Sequence, residues 1–275
     1  MKTSTQLKAL VRNLSMAKNV EAEIILRNFM LERFLERISV SMYKDNFILK
    51  GGMLIAAMVG IDTRTTMDMD DTIKGQNLTE AEIANIIKDI LSTEVYDNVI
   101  FTFRGIEEIR EEADYPGYRV SIEAVLDKTR QTIKIDITTG DFVTPREIEY
   151  NFRLMFEDRS ISILAYNLET VLAEKFESII ARGLTNTRMR DFYDIYILTS
   201  TQSIDLNVFK AALKKTAKKR HTSADINDAV AVAERIFTSS IMIDQWDRYR
   251  KKYIYAADVT WEMAIDALRG LQSHV

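Results

Sequence analysis

Three carboxylates, Asp68, Asp70 and Asp71, fall within four residues in the stretch "RTTMDMDDTIKG", with the Thr66 hydroxyl just upstream. The flanking pattern calls for a strand, in which residues two apart share a face. Thr66, Asp68 and Asp70 then project together, and Asp71 points to the other side or marks the strand end. Carboxylates in a sheet are costly unless something positive neutralises them. Two on one face beside a hydroxyl form a hard-oxygen site suited to Mg²⁺ or Mn²⁺. A solvated acidic strand end has the same composition. An EF-hand loop is excluded, because Thr72 stands at its third ligand position and no glycine follows at the sixth.

A second stretch, "IKIDITTGD", alternates Ile133, Ile135 and Ile137 with Lys134, Asp136 and Thr138. Asp136 is thus a carboxylate on the polar face of an apolar-patterned strand. Beside Asp68 and Asp70 on an adjacent strand it completes a trio that can hold divalent cations and leave a base for a hydroxyl nucleophile. A third feature is "KGGM", where Gly51 and Gly52 join a strand to a helix. Glycines there admit a close ligand, and the helix N-terminus offers free N–H groups to phosphate. The pattern is not a P-loop, since no Gly-Lys-Ser/Thr follows. A fourth is Lys175, on a helix face with Leu172, Ile179 and Arg182. A snorkelling surface lysine would look the same. Asp191 and Asp194 lie one turn apart at the start of the next helix, where capping and intrahelical pairing explain them equally well.

These residues need elements to position them. "EAEIILRNFMLERFLERISVSMY" places Ile24, Ile25, Phe29, Leu31, Phe34, Leu35 and Ile38 at helical spacing. "FILK" reads as a short strand and "MLIAAMVG" as a helix ending near Gly60. Thr79 and Glu82 open "LTEAEIANIIKDILS" as a capping box. "NVIFTF", "YRVSIEAVL" and "QTIKIDITT" are strands, the last two a hairpin turning near Asp127–Thr129, and "REIEYNF" and "SISILAY" are candidate edge strands. From Asn167 onward the pattern is helical: "NLETVLAEKFESIIAR", "RMRDFYDIYILTS", "LNVFKAALKKTAKK", "SADINDAVAVAERIF" and "DVTWEMAIDALRGL". The expected fold is α+β, a mixed sheet core with helices in residues 1–165 and a helical C-terminal domain in residues 166–275.

Composition narrows the chemistry. The 275 residues include no cysteine and two histidines, His221 and His274, which argues against thiolate or His-based zinc sites and nucleophilic triads. The reacting groups must be carboxylates, lysines, arginines and hydroxyls. No apolar run nears the roughly 18 residues of a membrane span and no signal-peptide core is present, so the expectation is a cytoplasmic protein without membrane contact. Net charge is −4, so any argument for nucleic acid has to be local. Two stretches qualify. "FKAALKKTAKKRH" carries Lys210, Lys214, Lys215, Lys218, Lys219 and Arg220. "RYRKKYIY" mixes Arg248, Arg250, Lys251 and Lys252 with Tyr249, Tyr253 and Tyr255, a pattern suited to phosphate contact and base stacking. Solvated helix faces carry similar lysines.

A Gly-Gly turn, then Thr-x-Asp-x-Asp, then a later strand Asp resembles the nucleotidyltransferase superfamily with a polymerase-β-like core. More narrowly, "FILKGGMLIAAMVGIDTRTTMDMD", "KIDITTGDFVTP" and "EKFESIIARGLTNTRMRDFYDIY" resemble the AbiEii family of abortive-infection toxins, over roughly residues 25–200. The resemblance implies a nucleotidyltransferase-like core and a toxin of a toxin–antitoxin pair, opposed by a cognate AbiEi-like antitoxin. It also implies that NTP is bound with a divalent metal and that nucleotides are added to the 3′ acceptor end of tRNA. Gly51 and Gly52 match the phosphate-side turn, and Thr66, Asp68 and Asp70 the hydroxyl and metal ligands. Asp136 matches the third carboxylate, Lys175 the helix lysine that meets triphosphate charge, and Asp191 the later essential aspartate. Met53 stands where many relatives carry Ser or Thr, and Thr66 is the candidate replacement hydroxyl. Two alternatives remain open: transfer onto a protein or small-molecule hydroxyl, and a non-catalytic NTP-binding module.

Overall fold

A computed structural model of the chain describes residues 3–74, 78–109 and 117–275. These form two compact units, Met1–Asp141 with Ile148–Ala165, and Phe142–Glu147 with Tyr166–Val275.

The first unit runs α1 (Ser4–Lys18), α2 (Ala22–Val40), β1 (Phe47–Lys50), α3 (Gly51–Val59), β2 (Met69–Ile73), α4 (Glu80–Ser92), β3 (Val99–Glu108), β4 (Gly117–Leu126), β5 (Thr129–Thr139), β6 (Ile148–Arg153) and β7 (Ser160–Ala165). The strands make one mixed sheet in the order β3-β4-β5-β2-β1-β7-β6. β2 is antiparallel to β1 and parallel to β5. The β4–β5 hairpin turns through Asp127 at φ 51°, a left-handed conformation that aspartate tolerates. The capping box at α4 forms as expected, Thr79 accepting from the Glu82 N–H and Glu82 from the Thr79 N–H.

One strand expected at an edge lies inside the sheet. β6 is the edge, whereas β7 is inserted between β6 and β1, pairing in parallel with Ile48 and Leu49. Its buried residues Ile161, Ile163 and Ala165 give it an apolar face that an interior strand requires.

The sheet has two unlike faces. Leu49, Asp71, Ile137 and Tyr118 stand in one row and Met69, Ile135 and Val120 line up behind them, all buried. α2 packs against β5 and β7, and α4 against β3. From Asn28 to Ile38 every residue of α2 is buried, including four charged ones. Of the four, Arg33, Glu36 and Arg37 are in close ion pairs. Arg37 makes a bidentate bridge to Asp97 (2.7 and 3.0 Å), and Arg33 meets Glu157 (2.7 Å) and Glu36 (2.9 Å). The Glu32 carboxylate accepts the Met155 N–H on both oxygens (3.2 and 3.0 Å).

The second unit comprises α5 (Leu168–Arg182), α6 (Met189–Thr201), α7 (Leu206–Lys219), α8 (Ser223–Asn227), α9 (Ala229–Phe237), α10 (Ser240–Lys252) and α11 (Trp261–Gln272). α5 packs on α6 and α7, and α6 on α11. "SADINDAVAVAERIF", expected as one helix, is broken into α8 and α9 at Asp228 (φ −99°, ψ 13°). Asn227 and Asp228 are poor helix-interior residues because short polar side chains compete for the backbone. The first turn of α5 is tied to residues 142–147 of the same unit. Its N-cap Asn167 accepts the Thr170 N–H (2.8 Å) and donates to the Thr144 and Arg146 carbonyls (2.7 and 3.0 Å). Among the described residues, no helix is long and apolar enough to cross a membrane.

Burial pushes the Glu32 carboxyl from its ordinary 4.5 up to about 8, against the lowering effect of the Met155 N–H. In the unfolded chain the proton leaves near the ordinary value, so the stability linked to Glu32 is complete at low pH. It is lost as pH rises toward the folded value. Thermal melts of the wild type should therefore fall from about pH 5 to about pH 8, and Glu32→Gln should remove its share of that fall. An unchanged slope in Glu32→Gln would contradict this.

Candidate functional site

The strand registers place four charged side chains in one row on the polar face of the sheet. Lys50 of β1 pairs with Asp70 of β2, Asp70 with Asp136 of β5, and Asp136 with Arg119 of β4. Lys50 and Arg119 flank two adjacent carboxylates, and Glu107 of β3 is the register partner of Arg119 on its far side. Asp68 lies one residue before β2, close enough to Asp70 and Asp136 to feel both charges. Its carboxyl is held above the usual range by burial, then by the negative charges of Asp136 and Asp70, opposed by Arg119 and Arg27. The three carboxylates expected from separate stretches thus lie within one electrostatic neighbourhood.

Asp136 is bridged on both oxygens by one guanidinium. Arg119 donates from Nε to Oδ1 (2.8 Å) and from Nη2 to Oδ2 (2.7 Å). Among the described residues, no group of three His, Asp or Glu side chains is arranged to hold a metal ion. The donor chemistry nonetheless suits one: hard carboxylate oxygens with like charges crowded together, which a divalent cation would relieve.

The next row on the same face is Ile48, Thr72, Thr138 and Gly117. Asp141 Oδ2 accepts from Lys50 Nζ (2.5 Å), Thr72 Oγ1 (2.7 Å) and Thr138 Oγ1 (2.5 Å). This buried cluster ties the end of β1 to β2 and β5 directly beside Asp70.

The two glycines are required by close approach. Gly51 has φ +64°, and a Cβ there would lie 2.1 Å from Asp70 Oδ2. A Cβ on Gly52 would lie 2.7 Å from Thr66 Oγ1 and 3.1 Å from Arg64 Nη2. The Gly52 N–H points at Asp70 Oδ2 at 3.4 Å, so the N-terminus of α3 faces a carboxylate. Thr66, expected to offer its hydroxyl to a ligand, donates it to the Asp68 carbonyl (3.0 Å), shaping the turn into β2. Met53 is buried.

Asp71 projects to the opposite, apolar face, as alternation requires. It is 0% exposed, neither carboxylate oxygen has a hydrogen-bond partner, and burial, then Asp70, pushes its carboxyl up to about 8. It is therefore protonated at neutral pH and takes no charge into the core.

In the second unit, Lys175 of α5 bonds Asp191 (2.6 Å) and Asp194 (2.9 Å) of α6. Spacing alone offered intrahelical pairing for the two aspartates. The α5–α6 packing gives them a shared cation instead. Arg220 is committed to Glu174 (3.1 Å) and Glu177 (2.6 Å). Tyr249 is buried, its hydroxyl 2.9 Å from that of Tyr255, and Tyr253 stacks on Tyr255. This aromatic cluster packs on itself. Lys210, Lys214, Lys215 and Lys218 remain on the exposed face of α7.

Lys50, Arg64, Thr72, Arg119, Thr138 and Asp141 escaped the sequence reading as site residues. Strand alternation puts Lys50, Arg119 and Thr138 on polar faces, but only the register makes them neighbours of the aspartates.

Residues 33–267 match the family described as "Nucleotidyl transferase AbiEii toxin, Type IV TA system". Among solved structures, MenT4, a nucleotidyltransferase toxin of Mycobacterium tuberculosis H37Rv, is similar at TM-score 0.57 and 13% identity, with 97% of this chain and 98% of that chain covered. JHP933 from Helicobacter pylori is similar at TM-score 0.50 and 13% identity, with 92% and 91% covered. At these identities the likeness is one of fold. No curated protein matches the sequence.

Gly51→Ala should lower the unfolding free energy by about 2 kcal/mol, from left-handed strain plus the clash with Asp70. In urea titrations, adding Asp70→Ala should restore the clash portion only. Full additivity of the two losses would refute the close approach. Lys175→Ala strips the cation from two buried carboxylates and should cost about 3 kcal/mol by the same measurement. An unaltered midpoint would show that the pairing contributes nothing.

Proposed function

Because the chain belongs to the AbiEii family of nucleotidyl transferase toxins of type IV toxin–antitoxin systems, we propose that the row of Asp70 and Asp136, with Asp68 beside it, is its catalytic centre. The chain is an NTP-dependent nucleotidyltransferase and is partnered by an antitoxin. In the finer reading, Asp68 and Asp70 hold a divalent cation, Mg²⁺ or Mn²⁺, with Asp136 as third ligand. The acceptor is the 3′ end of an RNA, tRNA being the favoured class, and the antitoxin is AbiEi-like.

The observation that carries this reading is the register pairing of Asp70 with Asp136, which sets two carboxylates side by side, with Asp68 two residues before Asp70 and within reach of both charges. A divalent cation bound there supplies charge neutralisation for the phosphate oxygens. The chain's own residues do the rest. Gly51 and Gly52 let Asp70 and Thr66 press against the turn, so a triphosphate bound beside Asp70 lies next to the first turn of α3 and its positive dipole end. Asp136, once free of Arg119, accepts the proton of the acceptor hydroxyl at a carboxylate oxygen. That hydroxyl oxygen bonds to the α-phosphorus as the bond to the β-phosphate oxygen breaks, and pyrophosphate leaves. Lys175, its ammonium fixed by Asp191 and Asp194, is assigned by the family pattern to meet triphosphate charge as a point cation. The exposed lysines of α7, Lys210, Lys214, Lys215 and Lys218, are assigned to RNA phosphates.

The test is incubation of the protein with each labelled NTP in turn, Mg²⁺ and total tRNA. Label should enter tRNA with a preferred NTP. Asp68→Asn and Asp70→Asn should each lower incorporation by about 10³-fold, since metal stabilisation is worth several kcal/mol. Circular dichroism should show both variants folded. Wild-type incorporation by either variant would defeat the site assignment, and label found on protein would move the acceptor away from RNA.

A further inference from the structure

The third carboxylate of the proposed centre is held by a residue with no assigned part. Both oxygens of Asp136 are taken by Arg119, at 2.8 and 2.7 Å, and the two residues are register partners on neighbouring strands. The pair is accessible, with side-chain exposures of 31% for Arg119 and 18% for Asp136. The guanidinium also lowers the Asp68 carboxyl, and Asp136 and Asp68 in turn raise the affinity of Arg119 for its proton. Arg119 is thus the cation that offsets the carboxylate cluster on its β4 side. Its fork spans both carboxylate oxygens, the same atoms that a divalent cation or an accepted proton would need.

From this we infer that Arg119 is a positioning residue that competes with the divalent cation for Asp136. The inference rests on the reading of Asp68, Asp70 and Asp136 as metal ligands. With the metal absent, Arg119 neutralises Asp136 and keeps three carboxylates compatible on one sheet face. When the metal enters, Asp136 exchanges the guanidinium for the cation, and Arg119 is released toward solvent. A phosphate-bearing ligand arriving with the metal meets a freed, planar, bidentate donor. The competition lowers metal affinity in the absence of nucleotide and returns part of that cost when phosphate takes up the guanidinium. Metal and triphosphate then bind with positive coupling, each favouring the state in which the Arg119–Asp136 pair is open.

The experiment is calorimetric titration of Mn²⁺ into the nucleotide-free protein, for the wild type and for Arg119→Gln, each alone and combined with Asp136→Asn. Arg119→Gln should bind Mn²⁺ about three- to tenfold more tightly, the range expected for loss of a partly exposed but bidentate competing ion pair. In the Asp136→Asn background the same substitution should give a markedly smaller gain. Arg119→Lys, which keeps the charge but loses the fork, should fall between wild type and Arg119→Gln and serves if Arg119→Gln does not fold. Repeating the titration with a non-hydrolysable NTP present should show nucleotide tightening Mn²⁺ binding less in Arg119→Gln than in the wild type. Equal Mn²⁺ affinity in the wild type and both Arg119 variants, with binding still lost in Asp68→Asn, would overturn the competition and leave the metal site standing. A gain of equal size in the Asp136→Asn background would assign the effect to net charge and overturn it as well. No Mn²⁺ binding by any folded protein in the set would remove the metal reading and this inference together.

Discussion

Two carboxylates placed next to each other on neighbouring strands set the terms for this sheet. Strands lie about 5 Å apart, and two unit charges at that distance repel by about 3 kcal/mol at an effective dielectric constant of about 20. Asp70 and Asp136 occupy such positions, flanked in their row by Lys50 on one side and by Arg119 on the other, with Glu107 of β3 beyond Arg119. Arg119 closes directly on Asp136, whereas Lys50 is bonded to Asp141, which also gathers the Thr72 and Thr138 hydroxyls. The two ends therefore differ in kind. The Lys50 end is buried and held by several bonds that pin the backbone. The Arg119 end is one partly exposed ion pair. A sheet built this way is rigid beneath Asp70 and adjustable beside Asp136.

The strand-to-helix turn depends on the same constraint. Asp70 comes so close to the backbone of Gly51 that no side chain fits there, and Thr66 with Arg64 imposes the same on Gly52. The Asp70 carboxylate, the first turn of α3 and the loop leading into β2 thus form one packed block. Asp71, the very next residue, is treated in the opposite way: buried, without partners and protonated. Adjacent aspartates in one strand meet opposite surroundings because the strand turns one toward the polar row and the other toward Leu49, Ile137 and Tyr118.

Much of this was legible from local rules. Alternation separated Asp68 and Asp70 from Asp71 and put Asp136 opposite Ile133, Ile135 and Ile137. Thr79 and Glu82 announced the start of α4, and the helical pattern after Asn167 held through most of its length. What local rules could not supply was register between segments distant in sequence. β2 and β5 are parallel partners across a long crossover, and β7 enters between β1 and β6, so neither pairing is written in the composition of any one strand. Arg119 reads as one polar residue of a half-exposed strand until β4 is laid against β5. Lys175 read equally well as a snorkelling surface lysine, and only the packing of α5 on α6 gave it Asp191 and Asp194. Buried charges along α2 were hidden for the same reason, since their partners Asp97 and Glu157 come from elsewhere in the chain.

The six residues from Phe142 to Glu147 belong to the helical unit although they are followed by two more strands of the sheet. The chain therefore passes between the units three times. No single cut separates them. Cleavage after Ala165 would leave the helical fragment without the Thr144 and Arg146 carbonyls that its N-cap Asn167 uses, and would leave an unpartnered six-residue loop on the sheet fragment. A cut at that junction would divide the helical unit, and an exchange of that unit between relatives would have to carry both of its stretches. The helix that carries Lys175 is thus completed by a loop lying between β5 and β6.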